Sequence, residues 1–551
     1  MTPDGSYADT IFQNVQLYNP FTCDWEETSI AIKDGYILGT GPDYHAEQVI
    51  DLKKRRIVPG LIDAHLHIES SLLTPAEYGR IVLSHGTTTV IADPHEIANV
   101  AGIAGIEAMM NDAERTPLDL FFMLPSCVPA TPMDSAGATL TAADLAPLLD
   151  NPWVIGLGEM MNVPGVLQDD PDVLAKIHLC SIVDGHAPML SGALLDRYIR
   201  SGIQSDHECI TRDEAEEKLR KGMYIFMREG AAAQNLRDLA PLADCRTSPR
   251  CAFATDDRHA DMLDARGSID DCIRIAVESG VPLETALRMA TLTPAERFGL
   301  SDRGALAPGR IADFIVLEDS DIFSVKSVFK RGVEIVDLPY SSPAPLQTIF
   351  NCRLPTEEDL KIKGIGPARV IGIIPGQITT REEIHDLIGS DLPDPTIDIL
   401  KAVVCDRYRA GGFGVGLVHG FGLSKGALAA SVSHDSHNIV AIGADDSDIV
   451  KAIQTVETLN GGMVVVIDGE ATALPLQWGG IMSDQPYSDV VKVLEQLDGL
   501  AGSLGAIDNP FMYLSFLALT VIPELRLTER GLFDNTRFTE TDLFVHEQGG
   551  R

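Results

Sequence analysis

Between Ile57 and Leu300 the chain repeats one unit eight times: a short, almost wholly apolar run ending in a polar or Gly/Pro cluster, then a stretch with helical spacing. The runs are IVPGLIDAHLH, TTTVIADPHE, LFFMLPSCVP, VIGLGEMMN, HLCSIVDGHAP, GIQSDHE, YIFMREG and CAFATDDR. Intervening segments such as EAEEKLRKG and IDDCIRIAVESG gather their apolar residues on one helix face. Strands this apolar cannot leave a face in water, and parallel strands obtain cover from their crossover helices. Eight such units predict an α/β fold built on a closed (β/α)8 TIM barrel.

The flanks have a different texture. Residues 1–56 alternate apolar and polar positions around turn signals (DTIFQNVQLYNP, SIAIKDGYILGTGP, VIDLKKRRIVPG), the pattern of short antiparallel strands. Strand patterns return within 301–350 (GALAPGRIADFIVLEDS, VKSVFKRGVEIVD), so a small β domain built from both sides of the barrel is expected. DLPYSSPAPLQ reads as a linker. Residues 351–551 alternate strands (RVIGIIPG, NIVAIG, GMVVVIDG) with helices (DIVKAIQTVETLN, SDVVKVLEQLDGL), as expected of a C-terminal α/β domain. The expected segments are therefore 1–56, 57–300, 301–350 and 351–551.

Composition narrows the partners. Eighty acidic against 43 basic residues leave a formal net charge of -37, a field that repels nucleic-acid phosphates and anionic lipid and accepts a small neutral or cationic molecule. No secretory signal is visible at the N-terminus, and no apolar run reaches the roughly 18 residues a membrane span needs. The nine cysteines are scattered and lack CxxC, so they read as reduced core residues of a cytoplasmic protein.

Barrel enzymes carry their sites where the strands end, and here the polar residues stand there. His65 and His67 close the first run, two apart and so on one face. Glu159 closes the fourth, His186 the fifth, His207 the sixth and Asp256 the eighth. Four imidazoles and two carboxylates at one mouth are a ligand set for one or two divalent metals, with Glu159 placed to bridge two cations. A bound cation lowers the pKa of water enough to make a nucleophile near neutrality. Each piece alone has a bland account: HxH within a strand, DGH or SDH as a turn with a core histidine, the Asp pair as a helix cap. Their joint placement at successive strand ends carries the inference.

These motifs also carry a family resemblance. VPGLIDAHLHIESS resembles the first-strand motif of the amidohydrolase superfamily, and GTTTVIADPHEIANV, GLGEMMNVPGV, DGHAPMLSG, SDHE, REG and TDDR are similar to the adenine deaminases within it. GALAPGRIADFIVLE, VSHDSHNIVAIG and GGIMSD extend the likeness into the flank and the last domain. The resemblance implies a binuclear centre: His65, His67 and Asp256 on one metal, His186 and His207 on the other. Glu159 would lie between them, where many relatives place a carboxylated lysine. It implies Mn2+ or Fe2+, the donor set suiting Zn2+ as well. It implies adenine as substrate, hypoxanthine and ammonia as products (purine salvage), and a homo-oligomer. Asp256 would move a proton from the attacking water to the leaving amine, which makes Asp256, Glu159 and His207 the candidate catalytic residues. The cytidine-type zinc deaminases instead show HxE followed by PCxxC. This chain has HxE at His45–Glu47 and His67–Glu69 but no PCxxC, which argues against that fold and its cysteine site.

A second tier has two readings each. His95 and Glu96 are candidate substrate contacts or auxiliary ligands, or residues that shape a turn. Arg228 and Glu229, with Asp257, would read the purine nitrogens or close the mouth with salt bridges. Glu69 to Ser71 would orient the first-strand ligands or, as TPAE suggests, cap the following helix. His434, Asp435 and His437 would form a lid or auxiliary site that excludes water, or a hairpin turn. GGFGVGLVHGFG, from Gly411, lacks the GK[ST] ending of a phosphate loop and reads as strand and turn packing. Two rival functions remain: an amidohydrolase opening a cyclic amide, where a lysine usually stands at the position of Glu159, and a non-catalytic barrel scaffold, which would be expected to lack ligands.

Overall fold

The computed structural model describes residues 7–131, 133–319 and 322–545; residues 1–6 and 546–551, the ends of the first and last expected segments, lie outside the described residues. The eight apolar runs form strands Leu61–Leu66, Thr87–Ala92, Asp119–Leu124, Val154–Met160, Val183–Gly185, Ser205–Asp206, Tyr224–Arg228 and Cys251–Ala254. Sequential strands pair in parallel within arcs of five and three. Backbone hydrogen bonds join the arcs: Gln204 N donates to Val183 O at 3.1 Å, Asp256 N to His65 O at 3.1 Å and His67 N to Asp256 O at 3.2 Å. The ring is thereby closed. An apolar cluster including Ile62, Ile91, Phe121, Phe226, Ala252 and Ala254 draws on strands from around the ring, which is possible only inside it.

The small sheet has seven strands, ordered Val333–Ile335, Val325–Lys330, Phe314–Leu317, His45–Pro59, Tyr7–Asn19, Asp24–Lys33 and Tyr36–Thr40, so both flanks of the barrel contribute to it. The Asp34-Gly35 turn has both residues at positive φ (51° and 79°), the two-residue hairpin geometry that a following glycine permits.

The C-terminal sheet has eight strands, ordered Thr380–Ile388, Ile365–Ile373, Phe413–His419, Ile399–Cys405, Ile439–Gly443, Ala427–Ala430, Gly462–Ile467 and Glu470–Pro475. All neighbours are antiparallel except the pair Ile365–Ile373 and Phe413–His419. Both faces are apolar. Val403, Ile439 and Val464 pack against helix Asp446–Leu459, while Ala402, Val404, Val440 and Val465 join the cluster that includes barrel residues Ile81, Ile97 and Val100. The last domain is thus continuous in packing with the barrel. The Gly411 stretch is strand and turn: a Cβ on Gly414 would sit 2.1 Å from Thr528 O, so glycine admits the neighbouring hairpin.

Two sequence expectations need correction. All nine cysteines are free, but only Cys127, Cys209, Cys251, Cys272 and Cys405 are buried, and Cys245 is exposed. Thr74 makes no side-chain cap bond to helix Pro75–Ser84; the nearby Glu69 instead accepts from Ile97 N, in the first turn of helix His95–Ala113, at 3.1 Å. Among the described residues no helix is long and apolar enough to cross a membrane.

Candidate metal centre at the barrel mouth

The strand ends bring six side chains from across the chain into one buried array. His67 Nε2 lies 3.2 Å from Glu159 Oε1 and 3.2 Å from Asp256 Oδ1, and His65 Nε2 lies 3.4 Å from the same Asp256 oxygen. On the other side Glu159 Oε2 is 2.6 Å from His186 Nδ1 and 3.2 Å from His207 Nε2. Glu159 therefore faces two histidine sets with its two oxygens. Each of the six is no more than 6% exposed.

Local structure aims these groups. His67 Nδ1 contacts Asp93 O at 3.0 Å, which turns Nε2 toward the array. Asp93 Oδ2 accepts from Glu159 N at 3.0 Å. The adjoining Gly158 is needed for this, since a Cβ there would sit 2.0 Å from Asp93 Oδ2. Asp256 adopts φ 56°, a left-handed geometry that Asp tolerates better than most residues. Beneath the fifth and sixth strands, the buried Lys218 Nζ binds Ala187 O at 2.7 Å and Asp206 Oδ2 at 3.0 Å.

Burial would raise both carboxyls, yet opposite charges win. His207 and His186 hold Glu159 well below the ordinary carboxylate range. For Asp256 the charge of Arg228, with hydrogen bonds from His65 and His67, does the same. The array suits cations for a second reason: His65 Nε2 and His186 Nε2 are buried without a hydrogen-bond partner. Ligand atoms of His65, His67 and Asp256, of His65, Glu159 and His207, and of His186, His207 and Glu208 each close to within 4.8 Å.

The second tier divides. Arg228 bridges Glu208 and Asp256, reaching Asp256 Oδ2 at 2.9 Å, and lines the cavity. Asp257 also lines it and accepts from Ser70 Oγ. Glu229 does not line it: its carboxylate turns away to Arg266, 3.5 Å distant, because alternate residues at the strand end face opposite sides. His95 and Glu96 form the first turn of helix His95–Ala113, not a turn of loop, and His95 Nδ1 lies 3.7 Å from Glu159 Oε1.

The segment HDSHN does connect two neighbouring strands, Ala427–Ala430 and Ile439–Gly443, but it is buried in the barrel mouth rather than set in solvent. His434 Nδ1 and His437 Nε2 each hydrogen-bond one oxygen of Glu96, and Asp435 reaches within 3.8 Å of His95. His434 stacks on Phe516 at 4.4 Å. Together with Ile378, Leu519 and Ile522, Phe516 forms an apolar wall over the array and lines the same cavity.

Sequence reasoning did not single out Glu208, Asp93 or this wall. Glu208 Oε1 lies 3.4 Å from His207 Nε2 and 3.7 Å from His186 Nδ1. Its one signal was its place beside His207 in SDHE.

A closed parallel barrel with buried histidines and carboxylates converging at its strand ends defines the amidohydrolase class. In agreement, residues 56–335 match the model of the Amidohydrolase family and 377–539 that of the adenine deaminase C-terminal domain. The chain is 60% identical to an adenine deaminase of Methanoculleus marisnigri, covering 93% of this chain and 99% of the relative. It is 53% identical to one of Methanoregula boonei (98% and 96%), and 43% identical to one of Geobacillus kaustophilus (96% and 95%). The chain belongs to the adenine deaminase family.

Proposed function

We propose that this chain catalyses the hydrolytic deamination of adenine, in which adenine and water give hypoxanthine and ammonia, a reaction of purine salvage. The observation that carries this reading is the six-residue array under an apolar wall in a member of this family. His65, His67 and Asp256 would hold one divalent ion and His186 and His207 a second, with Glu159 between and Glu208 beside the second. Mn2+ or Fe2+ is proposed, and Zn2+ suits the same donors. Such ions, when bound, polarise water into a nucleophile near neutrality.

The side chains do the rest. Asp256 Oδ1 faces the array while Oδ2 is held by Arg228, so one oxygen has a fixed orientation. That oxygen takes the proton of the attacking water and delivers it to the departing amino group. Glu159 keeps the two histidine sets in register. Phe516 and Ile378 would press on the purine and keep bulk water out. Asp435 lines the cavity with Oδ2 buried and unpartnered, which makes it the proposed polar contact for the purine edge, with His95 beside it. The Glu96 clamp on His434 and His437 would hold that loop in place.

His95, Asp435 and the apolar wall crowd the mouth around the array, which favours the free base over a nucleoside. Ammonia release by Mn2+-loaded protein from adenine, adenosine, 6-substituted purines and a cyclic amide tests the reading. Turnover of adenine with little on adenosine is expected. Efficient turnover of adenosine, or of the cyclic amide alone, would overturn it.

A further inference from the structure

Away from the barrel mouth, a second group of metal-ligating side chains lies at the edge of the C-terminal sheet. Glu383 and His385 are two apart on the edge strand Thr380–Ile388, so both stand on one face. The middle strand Ile365–Ile373 separates this strand from Phe413–His419. Register places Val370 opposite Glu383 and Gly372 beside His419, which sets His419 on the same face across the middle strand. Gly372 leaves the path open, since a Cβ there would sit 2.4 Å from Glu383 Oε1. Glu383 reaches over it, and its Oε2 lies 3.0 Å from His385 Nε2 and 2.9 Å from His419 Nδ1. The three side chains are 28%, 32% and 39% exposed for Glu383, His385 and His419.

We propose that Glu383, His385 and His419 form a binding site for a divalent transition-metal ion of the Zn2+ type, separate from the barrel mouth. Two imidazoles and one carboxylate are a donor set that zinc accepts, leaving a position for water. The three ligand atoms lie within 4.8 Å of one another, a spacing that small side-chain adjustments bring to bonds of about 2.0–2.2 Å. Partial exposure gives the ion a way in and a solvent ligand. The consequence is mechanical. An ion held from both sides of the middle strand clips the edge strand to the sheet, and these two strands are the arms of the hairpin whose connection carries Ile378 into the cavity. The alternative use of the cluster is a hydrogen-bonded His–Glu–His trio that takes no metal.

The full chain, stripped with chelator and equilibrated with buffered Zn2+, is analysed for zinc per chain beside His385→Ala/His419→Ala and Glu383→Gln. Each variant should retain one ion fewer than the parent, a difference that holds however many ions the barrel mouth takes. With the mouth loaded with Mn2+, added Zn2+ should raise the Tm of the parent and not of the variants. Equal zinc contents in parent and variants overturn the proposal and leave the trio as a hydrogen-bonded cluster. Folding is verified by Mn2+-dependent adenine deamination, expected to stay within about twofold of the parent. If the double variant does not fold, His385→Asn, a single change on a partly exposed edge strand, is read in its place by the same two measurements.

Discussion

Asp498 lies on helix Tyr487–Ser503, which packs on barrel helix Ala260–Arg266. Burial, with the charge of Asp261 across the contact second, pushes its carboxyl from 3.8 up to about 7. The folded state therefore prefers the protonated form. Below about pH 4 the group is neutral folded or unfolded and costs nothing; as pH rises toward about 7 the unfolded chain releases a proton that the folded chain keeps, and stability falls. Above about pH 7 the whole penalty is present. In a sealed site a displacement of this size is worth about 4 kcal/mol. Asp498 is only half-buried, so solvent screening reduces this to about 2 kcal/mol. Asp498→Asn keeps the shape and removes the ionisation. It should stabilise the chain by about 2 kcal/mol at about pH 8 and by nothing at about pH 4. Urea unfolding midpoints for parent and variant across that range measure it. A gain independent of pH, or no gain above about pH 7, would refute the electrostatic argument.

At the barrel mouth, Glu159→Gln keeps the volume but removes the charge facing both histidine sets; kcat/KM for adenine should fall by at least about 10³-fold, with loss of bound metal by elemental analysis. Glu96→Gln weakens charge-assisted bonds to His434 and His437 together, and steady-state kinetics should show kcat/KM lower by about 10- to 100-fold. Gly158→Ala forces Asp93 off Glu159 N, which should lower metal affinity by about 10- to 100-fold in a chelator competition while leaving the circular-dichroism spectrum unchanged. Retained affinity there would mean that Asp93 does not position Glu159.

The barrel and the six-residue array were legible because each signal is local. An apolar run followed by a histidine or carboxylate marks a strand end, and a parallel barrel places all such ends at one mouth whatever lies between them. Glu208 was hidden by its neighbour. Adjacent strand residues face opposite sides, so alternation argues for His207 or Glu208 but not both. The strand Ser205–Asp206 has already ended there, which frees Glu208 to turn inward beside His207. Glu229 follows its salt-bridge alternative for the converse reason, since at its own strand end alternation still holds and sends it outward to Arg266.

The sequence by itself determined the repeat of the barrel, the identity of the candidate ligands and their order around the ring, since these depend on residue type and spacing within a few positions. Only the tertiary structure decided that HDSHN is a buried insert and not a surface turn. Its partner Glu96 lies 338 residues away from His434, and the apolar wall from Ile378 to Ile522 acquires its role only by docking on the barrel. Contacts of such range are set by which faces remain apolar after each domain has formed. That is a property of packed surfaces, and no window of sequence contains it.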